Sequence, residues 1–264
     1  MSVDVHTLVE GPPDAPVVVM SHSLGVALEM WQPQAEVLAR SFRVVRYDLR
    51  GHGRSPVPPG PYEIADLGGD LVALLDRLGV AHAHLCGLSL GGMVSLWVAA
   101  HHPRRVARLV VCCTSAVLGP PELWIERAAA VRAGGTVAVA DAVLARWFTP
   151  EWRADHPERI AALRAAFAAT PAEGYAACCG AIQRMDLRDD LPGIRAPTLA
   201  VAATADPSTP PEYLRRIVER IRGARLALVD RAAHLANLEQ PERVSELILA
   251  HLRDDRAPPE RGPS

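Results

Sequence analysis

The octapeptide Leu85-Cys86-Gly87-Leu88-Ser89-Leu90-Gly91-Gly92 sets one serine inside a G-x-S-x-G frame. An apolar run, His84 to Leu88, precedes it, and a helix-like run, Met93 to His102, follows. Two glycines around a serine suit a sharp strand-to-helix turn, the nucleophile elbow. Without Cβ atoms, Gly87 and Gly91 let strand and helix approach closely while the seryl Oγ stands clear of the backbone. Ser89 is therefore the candidate nucleophile. A serine hydroxyl attacks poorly unless a base takes its proton and an acid orients that base.

The order expected on this kind of turn is Ser, then Asp or Glu, then His, each on a loop after a strand. Pro197 to Ala203 is a short apolar run, and Asp206 follows it. Arg225 to Val229 alternates like a strand, and His234 follows it. Asp206 is thus the candidate acid and His234 the candidate base. Asp48 precedes the serine in the chain and fits a brace for the Arg50-Gly51-His52-Gly53 turn. Asp230 lies too close to His234 in sequence to orient it. The loop after Val106 to Val111 reads Cys112-Cys113-Thr114-Ser115 and holds no acid. His82 and His84 flank a strand, and His101 and His102 end a helix. Neither pair has a third ligand at metal-site spacing, so no metal is expected.

Acyl chemistry also needs donors for the oxyanion. Ser21-His22-Ser23-Leu24-Gly25 follows the apolar strand Val17 to Met20, where a His-Gly-type loop is expected. The backbone N–H groups of Leu24 and Leu90 are the candidate donors. Ser23 stands where a glycine is usual, which leaves open which amide of this loop points inward. His22 reads as a stabiliser of the loop rather than a catalyst.

The elements that must position these residues alternate. Strands are predicted at Val17–Met20, Arg43–Tyr47, His84–Leu88, Val106–Val111, Thr198–Ala203 and Arg225–Val229, with helices between most of them. Leu67, Leu71, Leu74, Leu75 and Leu78 form one helical stripe over Ile64 to Leu78, which Gly79 ends. Such alternation argues an α/β fold with a mostly parallel sheet covered on both faces. It breaks between about Leu118 and Arg195, which is Ala-rich and predicts helices at Glu122–Arg132, Val137–Phe148, Pro157–Ala168 and Gly174–Met185. An all-helical insertion there would lie over the C-terminal edge of the sheet. The expected organisation is a core of residues 1–117 and 196–253, a helical cap of 118–195, and a disordered charged, Pro-rich tail of 254–264.

Composition narrows the chemistry further. All 28 basic residues are arginine, so Schiff-base catalysis, a pyridoxal phosphate anchor, a Ser-Lys dyad and a P-loop lysine are excluded. No cofactor is expected. A net charge of −2 offers nothing to draw nucleic acid or an acidic membrane. No window resembles a membrane span or a signal peptide, and the five cysteines include two adjacent pairs and no CxxC. Reduced thiols in a cytoplasmic protein, monomeric or homodimeric, are the expectation.

The order of these motifs resembles the α/β-hydrolase superfamily. Several stretches resemble more specifically the 3-oxoadipate enol-lactonases. They are Ser21 to Gly25 with Leu28-Glu29-Met30-Trp31, Arg46 to Gly53, Val57 to Tyr62, Arg146-Trp147-Phe148-Thr149-Pro150, and Thr170 to Cys179. The resemblance runs from about Val17 to Leu252. It implies an α/β-hydrolase fold with the helical cap inserted after the strand that follows the nucleophile helix. It implies a serine hydrolase opening a small lactone that carries a carboxylate, with Ser89, Asp206 and His234 as the triad. Arg127, Arg132 and Arg146 are candidates to bind that carboxylate, and Trp124 and Trp147 to line the pocket. The family carries asparagine where His22 stands and methionine where Leu90 stands; a side chain at position 22 could touch the pocket, so His22 bears on substrate preference rather than on the chemistry. The alternatives are another carboxylesterase or lactonase, a cofactor-free perhydrolase on the same triad, and a non-enzymatic receptor. A receptor would show an eroded triad, and none is seen.

Overall fold

The computed structural model describes residues 2–253. Short apolar runs form the strands β2 (Val17–Ser21), β3 (Arg43–Tyr47), β4 (Ala83–Leu88), β5 (Val106–Cys112), β6 (Thr198–Ala203) and β7 (Arg225–Val229). β1 (Thr7–Glu10) joins them in one sheet of order β1-β3-β2-β4-β5-β6-β7. All pairings are parallel except β1 with β3. The sheet is therefore α/β and mostly parallel, as expected. β1 has no counterpart in the sequence reading. It is four residues long, on the edge, with Leu8 and Val9 both 40% exposed, so burial leaves no pattern in it.

The helices are α1 (Gln32–Leu38), α2 (Ile64–Arg77), α3 (Leu90–His101), α4 (Pro121–Gly134), α5 (Ala140–Trp147), α6 (Pro150–Asp155), α7 (Pro157–Ala168), α8 (Ala172–Arg184), α9 (Pro211–Arg220), α10 (Ala236–Glu239) and α11 (Pro241–Leu252). α2 buries Leu67, Leu71, Leu74 and Leu75 completely and opens with a capping box between Glu63 and Asp66. α3 is buried nearly all round, because it packs behind the sheet against β4 and β5. The stretch between β5 and β6 holds α4 to α8 and, among the described residues, no strand of the sheet.

Two details there differ from expectation. The run predicted as one helix from Val137 begins as a 3-10 turn at Thr136–Val139, and Phe148 is already extended beyond α5. α6 was not anticipated, although Thr149 caps it through its side chain and Pro150 opens it. The predicted tail at 254–264 lies outside the described residues.

The register decides where chemistry can occur. Ser21 pairs with Gly87 across β2 and β4, so the loops after these two adjacent strands emerge side by side. The loops after β6 and β7 emerge at the same C-terminal edge. Ligands in open α/β sheets bind at that edge, where the strand order reverses.

Candidate functional site

Ser89 sits at φ +55°, ψ −117°, a left-handed conformation that a residue with a Cβ adopts only under constraint. Its N–H donates to Cys112 O at 3.0 Å, and its carbonyl accepts from Met93 N–H at 3.0 Å and Thr114 Oγ1 at 2.7 Å. The flanking glycines are sterically obligatory. A Cβ on Gly87 would lie 2.1 Å from Gly91 O, and one on Gly91 would lie 2.1 Å from Ser21 O. The turn is held from both sides, and Ser89 is presented with only 8% of its surface exposed.

Asp206 and His234 meet although 28 residues apart, because β6 and β7 are neighbours. His234 Nδ1 lies 2.8 Å from Asp206 Oδ2. The same carboxylate oxygen accepts from Thr209 Oγ1 at 2.7 Å, while Oδ1 accepts from Ser208 N–H at 2.8 Å and Thr209 N–H at 3.1 Å. Burial alone would push the Asp206 carboxyl up. The adjacent imidazole and the hydrogen bonds from His234 and Thr209 outweigh it and hold the carboxyl below its ordinary value. An ionised Asp206 fixes the His234 proton on Nδ1, which leaves Nε2 as the basic nitrogen. Ser89 and His234 line the same cavity, with no hydrogen bond between their side chains. Thr209 was not singled out from the sequence, where a loop threonine three residues after an aspartate carries no distinguishing signal.

The histidine loop is tied to the helical segment. Glu239, 9% exposed, accepts from Ala233 N–H at 2.7 Å through one oxygen and from Thr149 N–H at 3.1 Å and the Thr149 hydroxyl through the other. Leu235 N–H donates to Trp147 O at 2.9 Å. A buried carboxylate holding three donors without a cation joins the residue before His234 to the N-cap of α6. Glu239→Gln puts an NH₂ against one of those donors. The expected result is a loss of about 1–3 kcal/mol, seen as a Tm lower by roughly 3–10 °C, with kcat falling more than KM rises. Unchanged melting and kinetics would refute this linkage.

The loop after β2 resolves which amide is available. Ser23 N–H is taken by Met30 Sδ at 3.2 Å and Gly25 N–H by His52 Nε2 at 3.0 Å. Leu24 N–H between them has no partner among the described residues, and Leu24 lines the cavity with Ser89. Leu90 N–H, at the first position of α3, is likewise outside the helical ladder. These are the two candidate oxyanion donors. His22 departs from one expectation, since its fully buried ring faces backbone and not the cavity. Nδ1 meets Ser23 O at 2.7 Å and Nε2 meets Leu49 N–H at 2.8 Å. Asp48 braces the neighbouring turn as read, accepting from Leu28 N–H and Arg54 N–H at 2.9 Å each.

The cavity over Ser89 encloses about 220 Å³. Trp124, Trp147 and Arg127 line it together with Arg146 and Tyr175, and no aspartate or glutamate does. Arg127 lies 4.7 Å over the Trp124 ring, and Tyr175 lines the cavity beside it. Neither Arg127 nor Arg146 has a carboxylate partner among the described residues. Arg132 corrects the sequence reading: it forms a two-point ion pair with Glu173, at 2.9 and 3.0 Å, on the exposed outer face and away from the cavity. In the sequence nothing sets Tyr175 apart from the rest of the Thr170 to Cys179 motif. Its place beside Arg127 follows from α4 packing on α8.

No group of three potential metal ligands occurs among the described residues, and no described helix is long and apolar enough to cross a membrane. The five cysteines are free and buried.

Comparison with known proteins is consistent with this geometry. Residues 16–241 match the family described as alpha/beta hydrolase fold. A 3-oxoadipate enol-lactonase of Acinetobacter baylyi is 38% identical over 92% of this chain and 91% of its own. The crystal structure of the enol-lactonase from Burkholderia xenovorans superposes with a TM-score of 0.93 at 41% identity, covering 96% of this chain and 97% of that one. A protein of Variovorax paradoxus named as a candidate carbamate hydrolase is 32% identical over 96% of this chain and 98% of its own.

Proposed function

For this chain, which belongs to the alpha/beta hydrolase fold family, we propose the activity of a serine hydrolase that opens 3-oxoadipate enol-lactone to 3-oxoadipate. The observation that carries the substrate class is the cavity wall: two guanidinium groups, Arg127 and Arg146, face the space over Ser89 with no acid to neutralise them. Such a wall favours a small anionic substrate, because a buried carboxylate needs a charged or hydrogen-bonding partner. The similarity to two enol-lactonases supports the same substrate. Residues 118–195 then act as a cap that supplies specificity over a core of 1–117 and 196–253.

Ser89 Oγ attacks the lactone carbonyl while His234 Nε2 takes its proton and Asp206 stabilises the imidazolium. The Leu24 and Leu90 amides receive the developing oxyanion. Collapse breaks the acyl C–O bond and expels the ring oxygen as an enolate, which regains the proton and becomes the 3-oxo group. An enolate leaves more readily than an alkoxide, so acylation needs little further help. Water, deprotonated by His234, attacks the acyl-enzyme and releases Ser89 and the second carboxylate. Arg127, stacked on Trp124, holds the carboxylate that does not react.

The test compares kcat/KM for the enol-lactone with that for its methyl ester. Arg127→Gln is expected to raise KM for the free acid by about 10–100-fold, the worth of a charge-assisted hydrogen bond, and to leave the ester nearly unchanged. Equal turnover of acid and ester, or faster turnover of a carbamate, would overturn the substrate assignment.

A further inference from the structure

We infer that His22 and His52 act as positioning residues, a two-imidazole clamp that aims the Leu24 amide at the oxyanion; this rests on the hydrolase reading above. The Ser23–Leu24 peptide is planar, so its C=O and N–H point in opposite directions. His22 Nδ1, 2.7 Å from Ser23 O, holds the carbonyl end of that plane in the core. The N–H end is thereby directed towards the opposite side, where Leu24 lines the cavity with Ser89. The next peptide is held as well, because Gly25 N–H donates to His52 Nε2 at 3.0 Å. Leu24 thus has a restrained peptide on each side.

Both rings are anchored to one short stretch after β3. His22 Nε2 accepts Leu49 N–H at 2.8 Å, and His52 Nδ1 lies 3.3 Å from Arg50 O. A backbone N–H can only donate and a carbonyl can only accept, so each ring must carry its proton on Nδ1 and keep Nε2 bare. A second proton would set an N–H against the Leu49 or Gly25 N–H. Burial disfavours that proton in both rings, lowering His22 and bringing His52, with His22 beside it, to about 3. The rings meet edge to face with centroids 5.2 Å apart, and both are fully buried. Neither lines the cavity, so neither touches substrate. Their effect on the reaction passes through the backbone.

An oxyanion donor works because it is already aimed before charge develops. His22→Ala and His52→Ala are each expected to lower kcat by about 10–100-fold, less than the 10²–10³-fold for outright loss of a donor. KM should change by less than about threefold. The double variant should resemble either single one, because both rings serve one amide. His22→Asn keeps a donor for Ser23 O near the Nδ1 position and should recover most of the kcat. The readout specific to positioning is a trifluoromethyl ketone that forms a tetrahedral adduct on Ser89. Its affinity should fall in parallel with kcat/KM, whereas affinity for 3-oxoadipate should hold.

Melting curves and circular dichroism identify any variant that has lost its fold; should His22→Ala unfold, His22→Asn and His52→Ala carry the comparison. Undiminished kcat in folded alanine variants would overturn the clamp. Equal loss of adduct and product affinity would do so too, since that is general loosening. Wild-type protein that fails to react with a fluorophosphonate at Ser89 would instead overturn the hydrolase reading itself.

Discussion

Ser89→Ala is expected to lower kcat by about 10⁵–10⁶-fold while 3-oxoadipate still binds with near-normal affinity. The alanine keeps the Cβ and removes only the oxygen, so the turn, the cavity and both candidate amides stay in place. What disappears is the atom proposed to form the acyl-enzyme, and the two hydroxyls of the loop after β5 are engaged elsewhere. Ser115 turns its hydroxyl to Val117 O, and Thr114 Oγ1 is committed to the Ser89 carbonyl. Calorimetric titration with product and a single-turnover assay with the lactone measure the two halves of this expectation. A variant retaining more than about a thousandth of the wild-type rate would remove Ser89 from the chemistry. Ser89→Gly separates chemistry from strain: it is equally inactive, but glycine adopts φ +55° without cost. Relief of about 1–3 kcal/mol should raise the Tm by several degrees relative to Ser89→Ala. A melting temperature no higher than that of the alanine variant would show that the conformation stores no strain.

Asp206→Asn should cost about 10⁴-fold in kcat with little change in structure. The direction follows from the donors around the carboxylate. Ser208 N–H and Thr209 N–H both point at Oδ1, so the amide oxygen of an asparagine must take that place. The NH₂ then faces His234 Nδ1, where Oδ2 stood at 2.8 Å. Donating to Nδ1, it forces the neutral ring to carry its proton on Nε2, the nitrogen that should receive the seryl proton. The base is present in the wrong tautomer. Stability changes with pH in a defined sense as well. A carboxyl whose folded pKa is depressed contributes stability above the unfolded value, near 3.8, and that contribution is lost as pH falls through the folded value. Asp206→Asn lacks this contribution, so its Tm should fall less steeply than that of the wild type as pH drops below about 4. Parallel Tm profiles for the two proteins would contradict the depressed carboxyl, and near-normal kcat would contradict the tautomer argument.

Much of this site was legible before any coordinates. Ser89 stood out because its glycines are demanded by contacts within a few residues or across one strand pair, such as Gly87 against Gly91 O. Asp206 and His234 stood out because each follows an apolar run in the required order, and adjacent parallel strands bring such loops together. β2 to β6, mostly buried, were legible as apolar runs and β7 by its alternation, while β1, four residues at the sheet edge, left no such pattern to read.

What remained hidden depends on partners distant in sequence. Arg132 and Arg127 look equivalent on one helix, yet Glu173, 41 residues from Arg132, neutralises it on the outer face, while Arg127 turns to Trp124 and the cavity. Glu239 reads as an ordinary acid until Thr149, 90 residues away, is seen against it. Leu24 could be chosen over its neighbours only once Met30 and His52 were found to occupy the amides on either side. Residue types and chain order determined the candidate nucleophile, acid and base, because strand-and-loop periodicity and local sterics are short-range. Tertiary structure decided which charges stay unpaired and which amides stay free, because hydrogen bonds and ion pairs saturate: each group's availability depends on what else has reached it first.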